Sequence, residues 1–125
     1  MRYSLLMIQP EAGAADVSPE AIAEAMKAFD VYAKALHDAG ALVSAEVPQP
    51  TAASTTVSLR NGALQVQDGP FADTKEQLGG VFVIDVPDLD AALAWAEKNP
   101  AAQWGTIEIR PTGVYFADGN WVQAE

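Results

Sequence analysis

The chain has 125 residues, 50% of them apolar, and a formal net charge of −10. That length holds one domain with one sizeable core, and the apolar fraction excludes disorder. So acidic a surface repels phosphate backbones, which argues against nucleic acid and anionic membranes as partners, and the absence of cysteine removes disulfides, thiolate metal sites and a thiol nucleophile.

Tyr3 to Ile8 is short, apolar and stopped by Pro10, so it reads as a first strand. Its apolar run is too short for a secretory leader, and Gln9-Pro10-Glu11 ends it without a cleavage-like segment. No later stretch approaches the roughly 20 apolar residues of a membrane helix. A cytoplasmic protein is expected. Gln9 to Val17 reads as a loop. Ser18-Pro19-Glu20 then has the composition of a helix start: a capping hydroxyl, proline at the first helical position and an acid in the positive first turn. Ile22, Met26, Phe29, Ala33 and Leu36 recur at spacings of four and three and predict one apolar stripe. Gly40 supplies the left-handed residue that ends the helix.

Leu42 to Val47 reads as a second strand, closed by Pro48-Gln49-Pro50. Thr55, Val57 and Leu59 alternate with polar residues, Asn61-Gly62 is a tight hairpin signal, and Leu64 and Val66 alternate on the return. Asp68-Gly69-Pro70 breaks the chain, and Thr74 to Gln77 has room for one helical turn. Gly79-Gly80 opens the most apolar strand, Val81 to Val86, as a bulge or a close-packing device. Asp88 caps a second helix with Leu89, Ala92, Leu93 and Ala96 inward, stopped by Asn99-Pro100. Ile107 and Ile109 alternate in a last core strand. Val114 to Val122 reads as a terminal hairpin around Asp118-Gly119-Asn120, in an extension over residues 112–125. This extension is expected to pack on a partner subunit or rim a pocket, the alternative being a frayed tail that its three aromatic residues argue against.

The order is strand, helix, strand, hairpin, strand, helix, strand. It predicts an α+β fold, with a ferredoxin-like antiparallel sheet carrying helices on one face. Tyr3, Leu5 and Met7 alternate with Leu6 and Ile8, so the other sheet face is apolar too. An uncovered apolar sheet face calls for a partner, and two sheets packed face to face in a homodimer would provide one.

The run Asp68-Gly69-Pro70-Phe71-Ala72-Asp73-Thr74-Lys75-Glu76-Gln77-Leu78-Gly79-Gly80 resembles the signature of the DGPF subfamily of YCII-related proteins. The similarity continues through Val83 to Val86, Asp88 to Ala96 and Ile107 to Pro111. Upstream it takes in Ala39-Gly40, Glu46, Gln49-Pro50 and Thr55 to Val57. It spans residues 1–111. The resemblance implies a dimeric α+β barrel of ferredoxin-like protomers, largely without assigned biochemistry, with many members encoded beside extracytoplasmic-function sigma factors. Some relatives carry a histidine in the first helix, paired with an aspartate as a proposed dyad. The corresponding residue here is Phe29, so the dyad does not carry over. The only histidine, His37, falls in the last helical turn, where its charged form suits the negative helix end.

Asp68 is the leading polar candidate, as a turn cap or as a catalytic group. With Glu46 nearby it would form a carboxylate pair able to do acid/base work. Lys75 and Arg60 offer charge for an anionic ligand, and Tyr32 offers a phenol or simply amphipathic packing. Trp95 and Trp104 read as core or interface anchors. No clustered metal ligands and no cofactor motif are evident. The expected function is a homodimeric small-molecule-binding or regulatory module. The alternatives are a cofactor-independent enzyme using Asp68, Glu46 and Tyr32, and an interaction partner in sigma-factor regulation.

Overall fold

The computed structural model describes residues 1–11 and 17–124. Strand β1 (Arg2–Pro10) leads to helix α1 (Pro19–Asp38) and strand β2 (Leu42–Glu46). A hairpin of β3 (Thr55–Arg60) and β4 (Ala63–Asp68) follows, then β5 (Glu76–Asp85), α2 (Leu89–Lys98) and β6 (Thr106–Pro111). A second hairpin, β7 (Val114–Ala117) and β8 (Asn120–Gln123), completes the order. The main sheet runs β2-β5-β1-β6 with every pairing antiparallel. This is the ferredoxin-like arrangement expected from the order of elements, and the apolar strand β5 is central in it.

Local signals explain the helix ends. The Ser18 hydroxyl accepts from the Ala21 amide at 3.1 Å, and Pro19 opens α1. At the other end Gly40 has φ +71°. Its amide donates to His37 O, and the Ala41 amide donates to Leu36 O, both at 3.0 Å. These two bonds form a Schellman motif that satisfies carbonyls the helix leaves free. Asp88 caps α2 by accepting from the Ala91 amide at 2.9 Å.

Both helices cover one face of the sheet. Tyr3, Leu5 and Met7 of β1, with Phe82 and Ile84 of β5, are buried against Tyr32 and Leu36 of α1 and Ala92 and Ala96 of α2. The expected α1 stripe is shifted. Phe29 and Ala33 join this core, but Ile22 is 46% and Met26 69% exposed, because the first turns of α1 extend past the packed layer. Tyr32, between the expected positions, takes the buried place. In α2, Leu89 and Leu93 remain half exposed while Ala91 and Trp95 turn toward the core. A helix packed closely against a sheet puts its small residues inward, and alanine serves that contact here.

Three further boundaries differ from expectation. Strand β1 continues to Pro10, and most of the expected loop after it falls in residues 12–16, outside the described residues. No helical turn forms at Thr74 to Gln77. There the Gln77 amide side chain donates to Ala72 O and Thr74 O, and β5 has already begun at Glu76. Gly79 lies inside β5 at a bulge: Met7 pairs with Gly80 and Ile8 with Leu78, leaving Gly79 unpaired. The bulge expected at this glycine pair is therefore present, in the middle of the strand.

Candidate functional site

The register defines the face that the helices leave open. Directly opposed residues in a ladder share a face. One row therefore reads Glu46, Val81, Leu6, Glu108, and the next reads Ser44, Val83, Ser4, Arg110. Ile8 and Leu78 extend the apolar centre. The floor is aliphatic, and the charges stand on the two edge strands. Glu108 there accepts from the Arg110 guanidinium.

Each end of this face meets a hairpin. At the Arg2 end, the Arg2 guanidinium lies 3.7 Å from the centre of the Tyr115 ring, which holds the β7–β8 hairpin against β1. The terminal hairpin expected from Val114 to Val122 is thus present. It turns at Asp118 and Gly119, both with positive φ, and its Phe116 and Trp121 rings meet edge to face at 5.2 Å. At the Ile8 end stands the root of the β3–β4 hairpin. There Glu46, Val47, Pro48, Leu78 and Val81 line an open cleft of about 500 Å³. Glu46 is the charged side chain of that lining, set among four apolar ones.

The residues proposed from sequence do not gather in one place. Glu46 lines the open-face cleft. Asp68 is exposed at the end of β4, opposite Thr55, and among the described residues its carboxylate accepts no hydrogen bond. It does not cap its turn. The base of the hairpin is closed instead by the Thr56 hydroxyl donating to Gly69 O at 2.6 Å and by the Gly69 amide donating to Ser54 O at 2.8 Å. Lys75 is exposed in the bend before β5, and Arg60 is exposed at the hairpin tip, where it donates to Leu59 O.

Tyr32 lies on the other side of the sheet from Glu46. It is 5% exposed, not amphipathic with its hydroxyl in water, and packs edge to face on Phe82 and Trp95. Its hydroxyl donates to Trp95 O at 2.8 Å. Burial pushes its pKa up to about 12, an effect moderated by the neighbouring Asn99 amide. That amide nitrogen is itself buried and, among the described residues, makes no hydrogen bond of good geometry. Phe29 stacks on Phe82 and meets Trp104 edge to face. Its role is packing. His37 and Asp38 approach to 3.4 Å despite being adjacent in sequence, but both are about 80% exposed at the helix end and lie in no cleft.

A second groove, of about 770 Å³, runs between α1 and α2 and is walled by Val31, Tyr32, Trp95 and Trp104 with Lys27 and Lys98 beside them. Its buried polar group, the Tyr32 hydroxyl, is already committed to Trp95 O. The open-face cleft is the candidate ligand site: among the described residues the Glu46 carboxylate makes no hydrogen bond and is the one charged group of its lining, whereas the Glu24 carboxylate of the second groove shares that groove with Lys27 and Lys98. Sequence reasoning missed Val47, Pro48, Leu78 and Val81 as a lining. Their one signal was the strand register, which cannot be read before the bulge at Gly79 is known.

Two comparisons bear on identity. A 34% identical relative over 117 residues, covering 92% of this chain and 94% of its own length, is an uncharacterised protein of Rhizobium meliloti (strain 1021). The profile of the YCII-related domain matches residues 1–113, which takes in the main sheet, both helices and the β3–β4 hairpin and stops before β7. On that match the chain belongs to the YCII-related family.

Proposed function

We propose that this chain is a homodimeric small-molecule-binding module whose ligand sits on the open sheet face beside Glu46. The observation that carries this reading is the cleft itself. It is a concave apolar wall with a carboxylate as its one charged lining group, on a sheet face that no helix covers among the described residues. The chemistry favours a small molecule with an apolar body and a cationic or hydrogen-bond-donating end. Packing two such faces together would close the cleft and strengthen the carboxylate's interaction by excluding water. A regulatory role would follow if ligand occupancy altered the dimer.

The enzyme reading draws support from the same carboxylate. It loses support from the placement of its other two members, since Tyr32 lies across the sheet and Asp68 is exposed on the hairpin.

Thermal melting against a library of small amines and neutral donors tests the proposal. A ligand that binds only the native state raises the melting temperature by mass action. The expected result is a concentration-dependent rise with at least one amine, lost in Glu46→Gln while that variant still melts like the parent. A rise that survives Glu46→Gln would move the site elsewhere.

A further inference from the structure

The β3–β4 hairpin has its faces the wrong way round for a lone subunit. Val57 pairs with Val66 and Leu59 with Leu64, so these four aliphatic side chains share one face. They are 61%, 58%, 64% and 66% exposed, respectively. Thr56 and Ser58, on the polar face of the same strand, are the half-buried ones. Water therefore meets the apolar side, while the more sheltered residues of β3 are polar. A two-stranded hairpin is at best marginally stable alone, so an uncovered apolar face of this kind marks a contact surface.

The arm is nonetheless preformed. Its turn at Asn61-Gly62 has φ +51° and +77°, the geometry of a tight hairpin. Its base is tied by Thr56 to Gly69, and the segment leading into it is held when Glu11 accepts from the Thr51 amide and hydroxyl. Six residues per strand give a reach of about 20 Å. It springs from between β2 and β5, at the end of the open face where the Glu46 cleft lies.

We infer that this hairpin is a docking arm, and that a second copy of this chain is what covers it: the aliphatic face of each arm lies on the open sheet face of the partner subunit, over the cleft beside Glu46. The inference rests on the homodimer proposed above and names the element that closes its site. Area decides between occupants. Complete burial of a valine or leucine removes roughly 60–120 Å² of apolar surface, so four side chains about three-fifths exposed offer roughly 150–300 Å² per arm. One arm against an unrelated protein would bury roughly twice that, well short of the ~1,200 Å² at which stable interfaces begin. Two arms engaged by symmetry double it again, and contact between the sheet faces supplies the remainder. Charge agrees. Two chains of net charge −10 repel, and the arm face of Val57, Leu59, Leu64 and Val66 carries no acid, so it can meet Leu6, Ile8, Val81 and Val83 at the centre of the open face with Glu46 and Glu108 left at the edges.

The test uses the full-length chain with Leu64→p-benzoylphenylalanine, irradiated in a mixture of isotope-labelled and unlabelled copies, beside sedimentation of the wild type and of Leu59→Asp/Leu64→Lys, whose opposite charges keep the cross-strand pair while removing its apolar surface. The expected results are a wild-type dimer, mixed-isotope cross-links to residues 1–10 or 76–85, and a double variant with dimer affinity at least 100-fold weaker. The double variant's far-UV spectrum should be unchanged, because both positions are exposed in the protomer. A double variant that dimerises as tightly as wild type, or cross-links confined to one copy, would overturn the arm while leaving the dimer standing. A wild-type chain that stays monomeric at high concentration would sink both.

Discussion

The Tyr32 hydroxyl donates to the Trp95 carbonyl at 2.8 Å, joining the middle of α1 to α2 over the sheet. A residue that the sequence offered as a candidate ligand group instead ties the two helices together. Tyr32→Phe keeps the ring contacts with Phe82 and Trp95 but removes the hydrogen bond to a part-buried carbonyl, so it should lower stability by about 1 kcal/mol. Because burial raises the folded-state pKa of Tyr32 to about 12 from 10.0, the neutral phenol favours the folded chain. That contribution is complete below pH 10 and is lost as pH climbs from 10 through about 12. Denaturant titrations of wild type and variant at pH 8 and pH 11.5 check it. The difference between them should shrink at the higher pH, and a constant difference would show that the hydroxyl does not titrate with folding.

Gly40→Ala should destabilise the fold by about 1–2 kcal/mol, the cost of a side chain in the left-handed region. Among the described residues nothing lies within 4 Å of the added Cβ, so the effect isolates backbone strain. Calorimetry should show a lower melting temperature, while Gly113→Ala, also in open space but without positive φ, should leave it nearly unchanged.

Thr56→Val and Asp68→Ala separate two views of the DGPF turn. The Thr56 hydroxyl closes the hairpin base on Gly69 O, so its loss should cost about 1 kcal/mol. The Asp68 carboxylate is exposed and accepts no hydrogen bond among the described residues, so Asp68→Ala should change stability by less than about 0.5 kcal/mol. Urea midpoints of the two variants decide it. The reverse ranking would restore Asp68 as the turn's cap.

Much of the fold was written locally. The Ser18 and Asp88 caps, the Gly40 terminator, the Asn61-Gly62 and Asp118-Gly119 turns and the α+β order all depend on a few neighbouring residues. For these, side-chain chemistry and backbone sterics decide the conformation without reference to distant chain. The resemblance around Asp68 to Gly80 correctly pointed to the YCII-related family.

Relations among distant residues were settled by packing. Ile22 and Met26 fit a helical stripe as well as Phe29 and Leu36 do, yet only the latter pair meets the sheet, because a helix longer than the layer it covers leaves its first turns in water. Tyr32 and Glu46 looked like partners until the sheet came between them. The cleft beside Glu46 exists because a bulge at Gly79 sets which β5 side chains share the open face. Composition, caps and alternation determined that this chain would form helices over one side of an antiparallel sheet. Which residues stand together on the other side was decided only by strand register, since shifting a ladder by one residue exchanges its two faces.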